Sequence, residues 1–267
     1  MTIIDAKGKS YTRLNEEIAG VTEARIEHCE GQRFLCDGTS GKKIEITGVP
    51  GNALGAYLNG SEITVFGNAQ DAVGDTMNSG KIVIHGSAGD AAGYAMRGGA
   101  IYVERDAGYR AGIHMKEYGD KKPVLVIGGT AGSFLGEYQA GGVIVVLDLP
   151  RKESKGKSEK NGAGESGKAS VRGSVNNTEN NRNIVGYFCG TGMHGGEIYL
   201  RTQTPPDDLP LQVRCEPAFE KDMRNIRGYI GEYCRLFNAD EASVLSSPFY
   251  VLRPDSANPY KRLYVMN

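Results

Sequence analysis

Three kinds of residue in this chain recur at one spacing, and that spacing restricts the fold to a stack of similar turns. Gly48, Gly67 and Gly86 stand 19 residues apart, and Gly55, Gly74, Gly93 and Gly112 keep the same step. The apolar triplets at 63–65, 82–84 and 101–103 fall on it as well. A period of about 20 residues with one short β-run per unit marks a solenoid, because one unit cannot bury its apolar face alone. Glycine supplies 38 of the 267 residues, about twice its ordinary share of about 7%. Placed at a fixed period, it serves as punctuation: a corner needing positive φ or close backbone packing.

The expected fold is an all-β solenoid, a right-handed parallel β-helix with coils of about 19 residues. Equivalent strands would pair at about 4.8 Å, with Ile63, Ile82 and Ile101 forming a ladder in the core. The predicted corner glycines are Gly48, Gly55, Gly67, Gly74, Gly86, Gly93, Gly112, Gly128 and Gly136.

Residues 1–45 read as an N-terminal segment, with a short helix over 11–18 and strands within 22–36, the run Phe34, Leu35, Cys36 included. Residues 46–202 read as the β-helix domain. A polar, Lys/Ser/Gly/Asn-rich stretch at 149–183 breaks the pattern and reads as an exposed insertion between coils. The repeat then resumes: 190–200 aligns with 96–103. Residues 203–267 read as a C-terminal cap and tail. Phe219, Met223, Ile226, Ile230, Tyr233 and Phe237 have helical spacing, which predicts a capping helix over 217–237 that covers the open strand edges of the last coil. The tail at 247–264, with Pro248, Pro254 and Pro259 among tyrosines, reads as an extended strap.

The formal net charge is -1, which gives no electrostatic case for nucleic acid. No apolar run approaches the roughly 20 residues of a membrane span, and the N-terminus lacks the apolar core of a signal peptide. The expected location is cytoplasmic. The five cysteines are dispersed, form no C-x-x-C, and read as small buried thiols rather than a disulfide, zinc or iron–sulfur framework.

Several local motifs invite chemistry. The strand 124–127, the glycines Gly128, Gly129 and Gly132, the strand 143–147 and Asp148 imitate a dinucleotide-binding fingerprint. Only about ten residues separate the two strands, too few for the crossover such a site needs. Asp71, Asp75, Asp90 and Asp106 recur with the repeat, as acids do in pectin-cleaving β-helices, but they adjoin glycine corners, where Asp favours turns. No metal-ligand spacing links His28, His85, His114 and His194. His85, at the end of a β triplet, reads as a corner histidine. Surface loops mixing Met, His, Lys and Tyr suit a partner interface. The candidate interface is therefore Met96, Arg97, His114, Met115, Lys116, Tyr118, Met193 and His194.

The blocks at 67–74, 86–93, 94–99 and 190–196 closely resemble the glycine-repeat (GXGXG) domain that ends the large subunit of glutamate synthase. They also resemble the glycine-repeat subunit of formylmethanofuran dehydrogenase. The resemblance covers roughly residues 10–150 and 184–235. It implies a right-handed β-helix with no catalytic, cofactor or metal residues of its own. It implies a scaffold that joins a glutamine amidotransferase to an FMN- and iron–sulfur-containing synthase, which together make glutamate from glutamine and 2-oxoglutarate. Here those parts, and any NAD(P)H-oxidising subunit, would be separate polypeptides. The alternatives are the equivalent scaffold of a formylmethanofuran dehydrogenase and a freestanding carbohydrate-active β-helix. The block 113–118 and the terminal segments look more like the glutamate synthase side.

Overall fold

The structure, a computed structural model, describes residues 1–150 and 183–255. It is a parallel β-solenoid of about eight turns. Among the described residues the main sheet holds eleven strands in the order β1-β2-β3-β4-β5-β6-β7-β8-β9-β11-β10. They are β1 (Thr2–Asp5), β2 (Glu23–Glu30), β3 (Lys43–Val49), β4 (Asn59–Phe66), β5 (Ser79–Ile84), β6 (Ala100–Val103), β7 (Val124–Ile127), β8 (Ala140–Val146), β9 (Gly195–Arg201), β10 (Val213–Pro217) and β11 (Phe249–Pro254). Among the described residues three helices accompany them: α1 (Tyr11–Ala19), α2 (Glu220–Phe237) and α3 (Glu241–Leu245).

Strands β1 to β9 pair in parallel, each with the next. Their register builds two inward ladders. Ile44, Ile63, Ile82, Ile101, Leu125, Ile144 and Ile198 pair in succession, as do Ile46, Val65, Ile84, Val103, Ile127, Val146 and Leu200. All of them are fully buried. Single bridges tie Ala69, Ala88, Ala107, Ala131 and Val185 into a second wall, where a small side chain suits the narrow interior.

The third side of each coil is an arc in which every second residue is left-handed. In one coil these are Ala72, Gly74 and Thr76 (φ 57°, 67° and 52°), and in the next Ala91, Gly93 and Ala95. Non-glycine residues avoid this region because Cβ crowds the carbonyl oxygen. Here the N–H groups of the left-handed residues point alternately forward and backward along the stack. Ala72 and Thr76 donate forward to the carbonyls of Asp90 and Tyr94, and Gly74 donates backward to that of Leu54 (2.7–2.8 Å). Every arc is thus bonded to both neighbours without a regular strand.

Side-chain hydrogen bonds add a second lock. Asn68 Oδ1 accepts the N–H of Ser87, Asp71 Oδ1 that of Asp90, and Asp90 Oδ1 that of Tyr109 (2.8–2.9 Å). Each acceptor tucks under a glycine of the next coil. A Cβ on Gly89 would lie 2.2 Å from Asp71 Oδ1, and one on Gly108 would lie 2.2 Å from Asp90 Oδ1. These two glycines serve close approach rather than positive φ.

The structure corrects several expectations. The solenoid begins before residue 46, since β1, β2 and β3 already belong to the sheet. Phe34, Leu35 and Cys36 form no strand; Phe34 and Cys36 are left-handed, so this run is the first arc. The helix predicted over 217–237 begins at Glu220, and 213–217 is strand β10. Nor does α2 cap the end of the stack. Ile226, Ile230, Tyr233 and Phe237 cluster with Val83, Tyr102, Val126, Val145 and Tyr199 on the outer face of the sheet. Along that outer row the residues change from Glu45 and Thr64 to Val83 and Tyr102, and these last two join the cluster that α2 covers.

The last coil is closed instead by the tail. β11 pairs antiparallel with β9, and β10 with β11, while Leu252, Val213 and Cys215 meet the core. At the other end α1 inserts Leu14 and Ile18, both fully buried. The insertion expected at 149–183 falls almost wholly outside the described residues, as does the tail beyond Asp255.

The strap is fastened to α2 by charge. Arg253 bonds Glu197 (2.6 Å) and Asp222 (2.7 Å), and Asp222 Oδ2 also accepts the Phe219 N–H (2.9 Å). Burial alone would raise the Asp222 pKa, but the Phe219 N–H and the Arg253 guanidinium outweigh it and hold the carboxyl below its ordinary range. A folded pKa below the unfolded value of about 3.9 stabilises the native state above that pH, and the contribution is lost as pH falls toward the folded pKa. Urea unfolding between pH 6 and pH 2.5 should therefore show Asp222→Asn less stable than the parent at pH 6, with the gap closing in acid.

A second comparison tests the interlock. Gly89→Ala should destabilise by about 1–3 kcal/mol through overpacking. Gly228→Ala, in α2 with nothing near its added Cβ, should stabilise by about 0.5–1 kcal/mol. Urea midpoints at constant m-value check both.

Candidate functional site

Outward side chains fall into columns, because every coil repeats the same in–out pattern. The residue that closes each arc points inward: Leu58, Met77, Met96, Met115, Gln139 and Met193, all fully buried. The residue after it points outward, giving the column Asn59, Asn78, Arg97, Lys116, Ala140 and His194. Met96, Met115 and Met193 are therefore not interface residues. They fill the solenoid interior, and only their neighbours Arg97, Lys116 and His194 reach the surface. Gln139 replaces the usual apolar side chain, and its Nε2 donates to the carbonyls of Gly141 and Gly142 (3.1 Å each).

Arg97 and Lys116 line one concave pocket of about 490 Å³ with Asn78, Tyr118 and Lys121. Tyr118 and Lys121 come from a short hairpin, closed by Tyr118 N–H to Lys121 O (3.2 Å) and Lys121 N–H to Tyr118 O (3.1 Å). The hairpin lengthens this coil: Asp106 bonds Thr130 across 24 residues, where Asp71 bonds Asp90 across 19. Of the predicted surface residues, Arg97, Lys116 and Tyr118 meet here, whereas His194 and His114 do not line this pocket.

His114 belongs to a stripe of rings on the outside of the arcs. It stacks on Tyr138 (5.3 Å, 9°) and meets Tyr94 edge-on (5.9 Å, 84°). Beside it Phe134 stacks on Phe188 (5.0 Å), Tyr187 adjoins Phe188, and Arg110 lies over Phe134 (5.2 Å) while its Nε bonds Glu137 (3.1 Å). Tyr94, Tyr187 and Phe188 remain exposed. Their register is hidden in the sequence: Phe134 and Phe188 align only when residues beyond the 19-residue coil are subtracted, since Ser133 bonds Tyr187 across 54 residues. Positive φ at Arg110, His114, Phe134, Tyr138 and Phe188 belongs to every arc, so it reports architecture rather than local strain at a reaction centre.

The remaining motifs resolve structurally. The recurring acids are backbone acceptors: Asp71 and Asp90 as described, and Asp106, which takes the Thr130 N–H and hydroxyl (2.9 and 3.1 Å). Asp75 accepts the Thr76 hydroxyl (2.7 Å). The dinucleotide fingerprint spans β7 and β8, neighbouring rungs with no intervening helix. A Cβ on its first glycine, Gly128, would lie 1.8 Å from the Tyr233 hydroxyl, which donates to Glu104 O (2.9 Å). That turn is filled by α2 and leaves no room for a pyrophosphate.

His85 is a packed corner residue, stacked on Phe66 and edge-on to Phe237. Burial pushes the thiols of Cys29 and Cys36 up to about 11 and about 12, so neither is a ready nucleophile. Among the described residues no group of three or more His, Cys, Asp or Glu is placed to hold a metal ion, and no helix is long and apolar enough to cross a membrane.

A parallel solenoid of glycine-cornered coils, strapped by its own tail and flanked by one long helix, defines the class of protein. The GXGXG motif family model matches residues 10–253, and the chain belongs to that family, whose domain occurs in the large subunit of glutamate synthase. An uncharacterised protein of Methanocaldococcus jannaschii is 40% identical over 274 residues, covering 98% of this chain and 95% of the relative.

Proposed function

We propose that the chain is the scaffold subunit of a glutamate-synthase-type complex. In this reading it holds a glutamine amidotransferase chain and an FMN- and iron–sulfur-containing synthase chain in fixed relation, in the cytoplasm, and contributes no reacting group. An NAD(P)H-oxidising chain would supply electrons to the same assembly.

The observation that carries the reading is the extent of the family match, which takes in nearly every rung, α2 and the closing strap. Two further features support it. The periodic acids are committed to stacking coils, not gathered around a cleft. The stripe of Tyr94, His114, Tyr138, Phe134 and Phe188 offers the ring-rich surface common at partner interfaces.

Affinity purification of the tagged chain from its native host, with mass spectrometry and an absorption spectrum, tests the proposal. The expected eluate holds an amidotransferase chain and a flavin and iron–sulfur chain and is yellow-brown. A molybdopterin or tungstopterin chain would transfer the scaffold role to a formylmethanofuran-dehydrogenase-type assembly. Turnover of glutamine and 2-oxoglutarate by the isolated chain would end the scaffold reading.

A further inference from the structure

Several cations of this protein sit beside an acid. Lys9 pairs with Glu17 (2.8 Å), Arg25 with Glu45 (2.6 Å), Lys81 with Glu232 (3.2 Å) and Arg110 with Glu137 (3.1 Å). Arg97, Lys116 and Lys121 do not, and they differ from other such cations in converging on one place. Among the described residues none of the three side chains has an ion pair or hydrogen bond, and all three line the same pocket. Arg97 and Lys116 occupy equivalent places on adjacent coils, each donating its N–H to the preceding coil, at Met77 O and Met96 O. Like charges at such neighbouring positions oppose one another. In a chain with a net charge of -1, this is a local concentration of positive charge with no ion-paired acid among the described residues.

The third cation is brought there by construction. The hairpin folds back over the preceding coil, so that a Cβ on Gly98 would lie 3.0 Å from Lys121 Cβ. A side chain at position 98 would push the hairpin away. Two acids adjoin the hairpin cations in sequence, and neither Glu117 nor Asp120 lines the pocket; Glu117 Oε1 accepts the Gly142 N–H (2.9 Å) and faces Lys122 (4.0 Å). Lys122 thus has a carboxylate within reach, whereas Lys121 has neither an ion pair nor a side-chain hydrogen bond among the described residues. The pocket of about 490 Å³ lies in the range of roughly 300–1,000 Å³ typical of small-molecule sites. The Tyr118 ring and the aliphatic stems of the cations can flank the body of a ligand while the charged heads meet its ends.

We infer that this pocket is a binding site for a small organic or inorganic dianion. Two cations on the coil column and a third on the hairpin suit two anionic groups a few bonds apart, as in a dicarboxylate or a diphosphate. The guanidinium of Arg97 can take one group bidentately, and the ammonium groups act as point charges. The inference goes beyond the scaffold proposal and concerns this chain alone, so partner assembly does not enter its test.

The test is isothermal titration of the purified full-length chain at low ionic strength with two probes, glutarate and pyrophosphate, against chloride at matched ionic strength. At least one probe should bind with one-to-one stoichiometry. Arg97→Ala and Lys121→Ala should each weaken that probe at least tenfold, whereas Lys122→Ala should stay within twofold of the parent. All three positions are exposed, so melting temperatures should remain close and losses of binding can be read as local. Glutarate alone would assign a dicarboxylate site and pyrophosphate alone a diphosphate site; binding of both supports the shared chemistry. No binding of either probe at millimolar concentration, or equal weakening by Lys122→Ala, overturns the inference.

Discussion

Everything else in this molecule depends on bonding one coil to the next where no regular strand exists. The left-handed residues at every second position of each arc point their N–H groups alternately up and down the stack, so Ala72 and Thr76 reach forward while Gly74 reaches back. A left-handed non-glycine residue costs roughly 1–2 kcal/mol, and each arc carries one or more. Leaving a buried backbone group unbonded costs about as much or more, and the left-handed residues avoid that loss at their own N–H groups. Asp71 and Asp90 extend the same logic to side chains, each under a glycine that has no Cβ to obstruct it.

This constraint separates what is structural from what is free to vary. Inward positions are fixed by the ladders through Ile63, Ile82 and Ile101, and by the methionines that close the arcs. Acids beside the corners are fixed by the backbone they bond. What remains is a set of outward columns, about 4.8 Å apart from rung to rung, on which side chains can be chosen without disturbing the stack. Added residues enter at corners for the same reason, as the hairpin bearing Tyr118 and Lys121 does.

The repeat is fully legible in the sequence, because glycine corners and apolar triplets share one period. The sense of each side chain is less so. Met96 with Arg97 and Met193 with His194 look like surface pairs, since in–out alternation within an arc follows neither the strand nor the helix period. Phe34, Leu35 and Cys36 read as a strand for the same reason. The helix over 220–237 is visible from its spacing, but not its place: only the change from Thr64 to Val83 and Tyr102 along the outer row marks the face it covers. The aromatic stripe is obscured because Phe134 and Phe188 are separated by insertions that break the period.

The central claim is that the stack is a rigid frame; the proposed scaffold role places partner engagement on its ring-bearing arcs. Amide hydrogen exchange of the full chain, free and within its native assembly, tests it most directly. The account predicts unchanged, slow exchange along β4 to β9 in both states. It predicts new protection confined to the arcs carrying Tyr94, His114, Tyr138 and Phe188. New protection on α2 with none on these arcs, or fast exchange along the rungs of the free chain, would contradict it.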